Sequence, residues 1–224
     1  MMENTRERTK RAVLLVYVLA FYSVWTLWEF WGKGVVNSAI PDPFLSQLVK
    51  SGVIKNLVWT LPAILLVRRF GSDMHITLKE MFSAKVNGWK YLPMFAAFTV
   101  YICGGSILRN GRLAVSDGFE PHQLITVLFV GLTEELVFRG WLLNATVKEG
   151  KKWPYVLLNA VMFLAIHFPK WLCPGTFVSS FTSLAFLEVM ALSVVFSWSF
   201  LKSRSILVPI ALHMYWDLLV FLLI

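Results

Sequence analysis

An all-α polytopic membrane bundle of about seven spans is the fold class this sequence predicts, and three observations carry it. Of 224 residues, 57% are hydrophobic and only 15% charged, whereas soluble domains run about 45–50% apolar and about 25% charged. The mean hydropathy is +0.65. The apolar residues also arrive in long runs rather than in the alternation of a half-buried strand. This balance excludes a disordered chain, a disulfide-stapled secreted module and an ordinary cytosolic enzyme.

The elements follow in order. Residues 1–11 are polar and include Arg6, Arg8, Lys10 and Arg11. Ala12–Trp31 is then apolar over about 20 residues, enough to cross a hydrocarbon core of about 30 Å. The stretch is too long for a signal peptide and lacks a small-residue cleavage pattern, so it reads as a retained first helix. Further spans are expected at Val53–Val67, Trp89–Leu108, His122–Ala145, Trp153–Phe168, Phe177–Leu201 and Ile206–Ile224. Between the second and third, Met74–Trp89 intersperses Ile76, Met81, Phe82, Val86 and Trp89 with Lys79, Glu80, Lys85 and Lys90. That pattern suits a short interfacial amphipathic helix.

The net charge is +8, which in a soluble protein would suggest nucleic acid. Here it reads as topology, because Lys and Arg collect in cytoplasmic loops. With the N-terminus cytoplasmic, fourteen of the 21 basic residues fall inside and six outside, and Arg139 is left within a span. The bilayer is thus an implied partner and nucleic acid is not. Cys103 and Cys173 have no metal-binding spacing and read as packing residues. Glu29, Lys170 and Trp171 read as interfacial residues near the outer ends of their spans. One membrane domain over residues 1–224 accounts for the chain, with no internal repeat.

Charged groups inside spans are costly and mark partners, watery cavities or function. The fourth span carries Glu134, Glu135 and Arg139. Glu135 and Arg139 are four apart, acid before base, the favourable order for a helical ion pair. Glu134 is rotated about 100° from its neighbour and is unpaired within its own helix. The fifth span ends in Phe163, His167 and Pro169, the last marking a helix end. The seventh contains His213 and Asp217, again on one helical face. Glu134, His167, His213 and Asp217 are the groups that acid/base chemistry on a water molecule needs. Proton relays use the same residue types, and polar side chains also link spans structurally. A small transporter and a non-catalytic scaffold therefore stand as rivals.

The ordered set Glu134-Glu135-x-x-x-Arg139, Phe163-x-x-x-His167 and His213-x-x-x-Asp217 resembles the three-motif signature of the CAAX-protease and bacteriocin-processing family of intramembrane proteases. The resemblance runs over the C-terminal half, about residues 120–224. It implies an endopeptidase acting on a membrane-associated substrate, a prenylated CAAX-type C-terminus or a leader or signalling peptide. By the same resemblance Glu134 activates water with help from His167, while Glu135 and Arg139 orient the helices. His213 and Asp217 stabilise the oxyanion. The family is often labelled a metalloprotease, so a divalent ion such as zinc on Glu134, His167 and His213 stays open beside metal-free glutamate catalysis. No H-E-x-x-H motif is present, and no metal is firmly assigned.

One departure bears on mechanism. The third motif commonly ends in Asn and here ends in Asp217, and an ionised carboxylate cannot donate a hydrogen bond. Asp217 therefore acts protonated, orients His213, or ligates a metal. Two structural expectations follow. A cavity must bring water to the motifs. The motifs must also meet at one depth, although at about 1.5 Å per residue His213 lies about 10 Å from the cytoplasmic end of its helix and Glu134 and His167 roughly 20 Å.

Overall fold

In a computed structural model the chain is described over residues 2–224, with side chains from residue 5 onward; residue 1 of the polar N-terminal stretch lies outside this range. The described residues form helices and connecting turns without strands, as the composition predicts. Five helices are long and apolar enough to cross a membrane. They are α1 (Thr5–Ala39), α2 (Pro43–Arg69), α4 (Gly88–Asn110), α6 (Lys152–Leu172) and α8 (Ala185–Ser203). The helix over residues 123–146, α5, is long and apolar as well, but it carries the three charged residues Glu134, Glu135 and Arg139. Apolar α9 (Leu207–Leu223) is shorter. The short helices α3 (Leu78–Ser83) and α7 (Phe177–Thr182) complete the chain.

The boundaries move where polar residues find partners. The helix of α1 already includes the basic N-terminal residues, because Arg6 pairs with Asp73 at 2.6 Å and Lys10 donates to the Asp73 carbonyl. The second span begins earlier than hydropathy suggests. Asp42 caps its first turn by accepting from the Leu45 N–H at 2.7 Å, a favourable N-cap arrangement. The expected sixth span is split, since Leu184 turns left-handed at φ 64° between α7 and α8.

The Met74–Trp89 segment differs most from its expectation. Before α4 begins at Gly88, Leu78–Ser83 alone is helical here, and Ile76 and Met81 are fully buried while Trp89 is exposed. Asn144, at the end of α5, explains the anchoring. Its side chain donates to the Ile76 carbonyl and accepts from the Ile76 N–H, both at 2.8 Å. The segment is therefore a plug under the bundle rather than a helix floating on the surface.

The same plug resolves the expected mismatch in depth. Ile206 donates to the Met81 carbonyl at 2.9 Å, and Ser205 and Ile206 are fully buried. The chain thus turns into α9 from inside the protein, which carries His213 deeper than a surface start would. Close packing of α5 on α9 then sets the register. A Cβ built on Gly131 would lie 2.9 Å from the Met214 side chain and 3.3 Å from its backbone nitrogen. Only a residue without a side chain allows this approach, as at many interfaces between membrane helices.

Candidate active site

The two neighbouring acids of α5 sit in different environments. Glu135 is fully buried. Its Oε1 accepts from Arg139 Nη1 at 3.0 Å and from His213 Nδ1 at 2.8 Å, while Oε2 is buried without a hydrogen-bond partner. Arg139 reaches across to α8. It donates to the Ser193 carbonyl at 3.0 Å, to the Ser193 hydroxyl at 2.7 Å and to the Ser197 hydroxyl at 3.4 Å. The guanidinium also lies 4.6 Å from the centre of the Phe163 ring. One ion pair thus ties together α5, α6, α8 and α9, and a buried pair persists only when its remaining donors are satisfied in this way.

Glu134 is buried too, but its partner comes from elsewhere. Its Oε1 accepts from Lys170 Nζ at 3.0 Å, and its Oε2 lies 4.0 Å from His213 Nε2. Lys170 corrects the expectation of an interfacial anchor. It sits on the stretch of α6 beyond Ile166 and turns inward, with its ammonium 5.2 Å from the Trp25 ring centre. Lys55, inside the expected second span, is likewise buried within α2, 5.1 Å from the same ring. Glu29 is buried as well and pairs with Lys33. Cys173, expected in packing, is exposed.

Pro169 explains how α6 presents His167 and Lys170 together. A proline lacks the N–H that would bond four residues back, and α6 breaks at Ile166 instead of ending. Carbonyls around the break find side-chain donors. Tyr22 donates to Met162, Trp25 donates to Ile166 at 3.0 Å, and His167 Nδ1 donates to Phe163 at 3.0 Å. The last bond leaves His167 Nε2 as the nitrogen free for chemistry, since a neutral imidazole carries its hydrogen on one side.

A cavity of about 640 Å³ opens beside these groups. His167, His213 and Asp217 line it together with Phe163 and Phe196, and apolar residues of α4 and α9 form the opposite wall. Glu134 lies behind His213 rather than on the cavity surface, with 3% of its area exposed. Asp217 Oδ2 faces His213 Nε2 at 3.6 Å, so both ring nitrogens of His213 face carboxylates. The His213 ring also stacks on Phe196 at 4.9 Å. All seven residues singled out by the motifs therefore converge on one region.

Residues 120–219 match the family model described as Type II CAAX prenyl endopeptidase Rce1-like. Over this segment, which is less than half of the chain, the sequence is similar to that family. No curated protein and no solved structure matches the chain. The matched segment contains every motif residue, whereas Tyr22, Trp25 and Lys55 lie before it. Motif spacing had no means of finding Lys170 and Lys55. The available signal was their position, since each lies beside an apolar run.

The residues do not form a ready metal centre. Among the described residues no group of three His, Cys, Asp or Glu is placed to hold an ion. The Oε1 of Glu134 faces the Lys170 ammonium instead.

Proposed function

We propose that the chain is an intramembrane endopeptidase in which Glu134 and His167 activate water against a peptide bond held in the cavity. The observation that carries this reading is the approach of Glu134 to within 4.0 Å of His213 behind a cavity walled by His167, His213 and Asp217. Water lies between Glu134 Oε2 and His167 Nε2 and gives a proton to Glu134 as its oxygen bonds to the carbonyl carbon. His213, which donates from Nδ1 to Glu135 and has carboxylates near both ring nitrogens, acts as the imidazolium and turns its Nε2–H toward the oxyanion. Preorganised donors of this kind are worth most in a water-poor site. Collapse breaks the C–N bond, and the proton passes to the leaving amine. Asp217 orients His213 through the 3.6 Å contact, which a carboxylate can do without donating a hydrogen bond.

Lys170 keeps Glu134 in place between turnovers. Substrates in this reading are membrane-associated peptides, a lipidated C-terminus or a leader or signalling peptide. The N-terminus of the enzyme is cytoplasmic. No step is assigned to a metal ion.

The test compares peptide profiles of membranes carrying the wild type and Glu134→Ala, with folding checked by thermal unfolding of the purified proteins. A general base contributes about 10²–10⁴-fold, so a wild-type product should vanish from the folded variant. The scaffold reading draws support from the Lys170–Glu134 pair, which a non-catalytic bundle also needs. Identical profiles would favour that reading.

A further inference from the structure

Glu188 is the charged group in the cavity wall that the catalytic scheme leaves without a role. It projects from the first turn of α8 into the cavity lined by His167, His213 and Asp217. Of the two acids there, Asp217 faces His213. Glu188 pairs with no Lys, Arg or His among the described residues, and its polar neighbour is the hydroxyl of Tyr101 on α4. No Lys or Arg lines the cavity either; Lys170 is turned away onto Glu134. The helix dipole favours an acid in a first turn, but it supplies no counter-ion. Around Glu188 the wall is apolar, with Leu192, Val189, Trp216 and Tyr101.

We infer that Glu188 is a specificity residue that receives the cationic end of a Lys or Arg side chain borne by the substrate segment in the cavity. The apolar wall suits the methylene stem of such a side chain, because long basic residues bury their stems and keep the charged head with a polar partner. A neutral side chain filling the cavity would desolvate the half-buried Glu188 carboxylate further and offer no charge to offset it beyond the Tyr101 hydroxyl, and polar groups left poorly paired are what make a site reject analogues. The inference rests on the protease reading for the word substrate, but the pairing itself can be measured without catalysis.

The experiment uses three fluorophore-labelled pentapeptides of sequence Ala-Leu-X-Leu-Ala, with X as Lys, Gln or Glu. Binding is titrated on the purified full chain, in the wild type, Glu134→Ala and Glu188→Gln. Hydrogen bonds to charged groups support a preference of about 10–100-fold for the Lys peptide over the Gln peptide in the wild type. Glu134→Ala should retain that preference. Glu188→Gln should erase it, and Glu188→Lys should transfer it to the Glu peptide.

A second readout needs only the wild type. Raising salt should weaken the Lys peptide and spare the Gln peptide, because salt screens the ion pair. The inference is overturned if the wild type shows no Lys preference, binds none of the three, or shows a preference that survives Glu188→Gln. Loss of cleavage without loss of preference, or the reverse, separates this inference from the protease reading.

Discussion

Glu134 and Glu135 are adjacent in sequence, yet they head two regions with opposite construction. The Glu135 side is a clamp. Arg139 and His213 close on one carboxylate, Arg139 is held in turn by Ser193 and Ser197 of α8 and by the Phe163 ring of α6, and three further helices are thereby fixed to α5. The Glu134 side is sparse. One lysine holds the carboxylate, and a histidine stands 4.0 Å away beside a cavity. The difference teaches that the charge most expensive to bury is spent on position, while the charge left partly free lies where chemistry needs it. Breaking each side should therefore fail in a different way.

The largest effect should come from the clamp. Arg139→Met leaves Glu135 buried without its cation, and breaking a buried pair costs about 3–5 kcal/mol. Unfolding of the purified variant should move down accordingly, with activity lost through the fold. A stable Arg139→Met protein would show that the clamp is not structural.

On the sparse side the outcome should invert. Lys170→Met should keep the fold yet lower turnover by about 10–100-fold, the range expected when a charge-assisted hydrogen bond to a reacting group is lost. Restoration of much of that rate in Lys170→Arg would sharpen the comparison. A Lys170→Met enzyme with full turnover would remove Lys170 from the scheme.

Gly131→Val tests the seam between the two sides. The new side chain meets Met214, and overpacking of this kind costs about 1–3 kcal/mol. Because the seam sets the register of His213 against both acids, turnover should fall more than stability does. Equal falls would make the seam a packing feature only.

The smallest effect lies outside the membrane, where Arg204 pairs with Glu80 of the plug. Hydrogen bonding to Arg204, and then its charge, hold the Glu80 carboxyl below the usual carboxylate range. A depressed acid contributes stability above its unfolded pKa and loses it as pH falls through the folded value. The pair is largely exposed, so its contribution is about 0.2–1 kcal/mol. Glu80→Gln should thus narrow the difference in unfolding between pH 7 and pH 3 by no more than that.

What the sequence disclosed follows the same division. The helices and the motif residues were legible because the bilayer forces long apolar runs and makes each intramembrane charge conspicuous. The clamp was half legible. The spacing of Glu135 and Arg139 predicts their pairing, but Ser193 and Ser197 look like ordinary span residues until α8 is docked. Lys170 was misread because hydropathy places a lysine that follows an apolar run at the interface. It cannot register that Pro169 breaks α6 at Ile166 or that Trp25 offers a ring to two ammonium groups. The plug was misread for a related reason. Amphipathic spacing describes which face is apolar, whereas Asn144 decides what that face packs against.

The short ninth helix has a consequence for the lipid around it. Leu207–Leu223 is 17 residues, which at about 1.5 Å each rises about 25 Å against a hydrocarbon core of about 30 Å. A shorter span is met by thinning of the adjacent bilayer, at fractions of a kcal/mol per ångström. Where the bilayer thins to meet α9, it thins beside the helix that carries His213 and Asp217. There the headgroups, and the water among them, come closest to the cavity, and acyl-chain length becomes a property of the solvent to which the site responds.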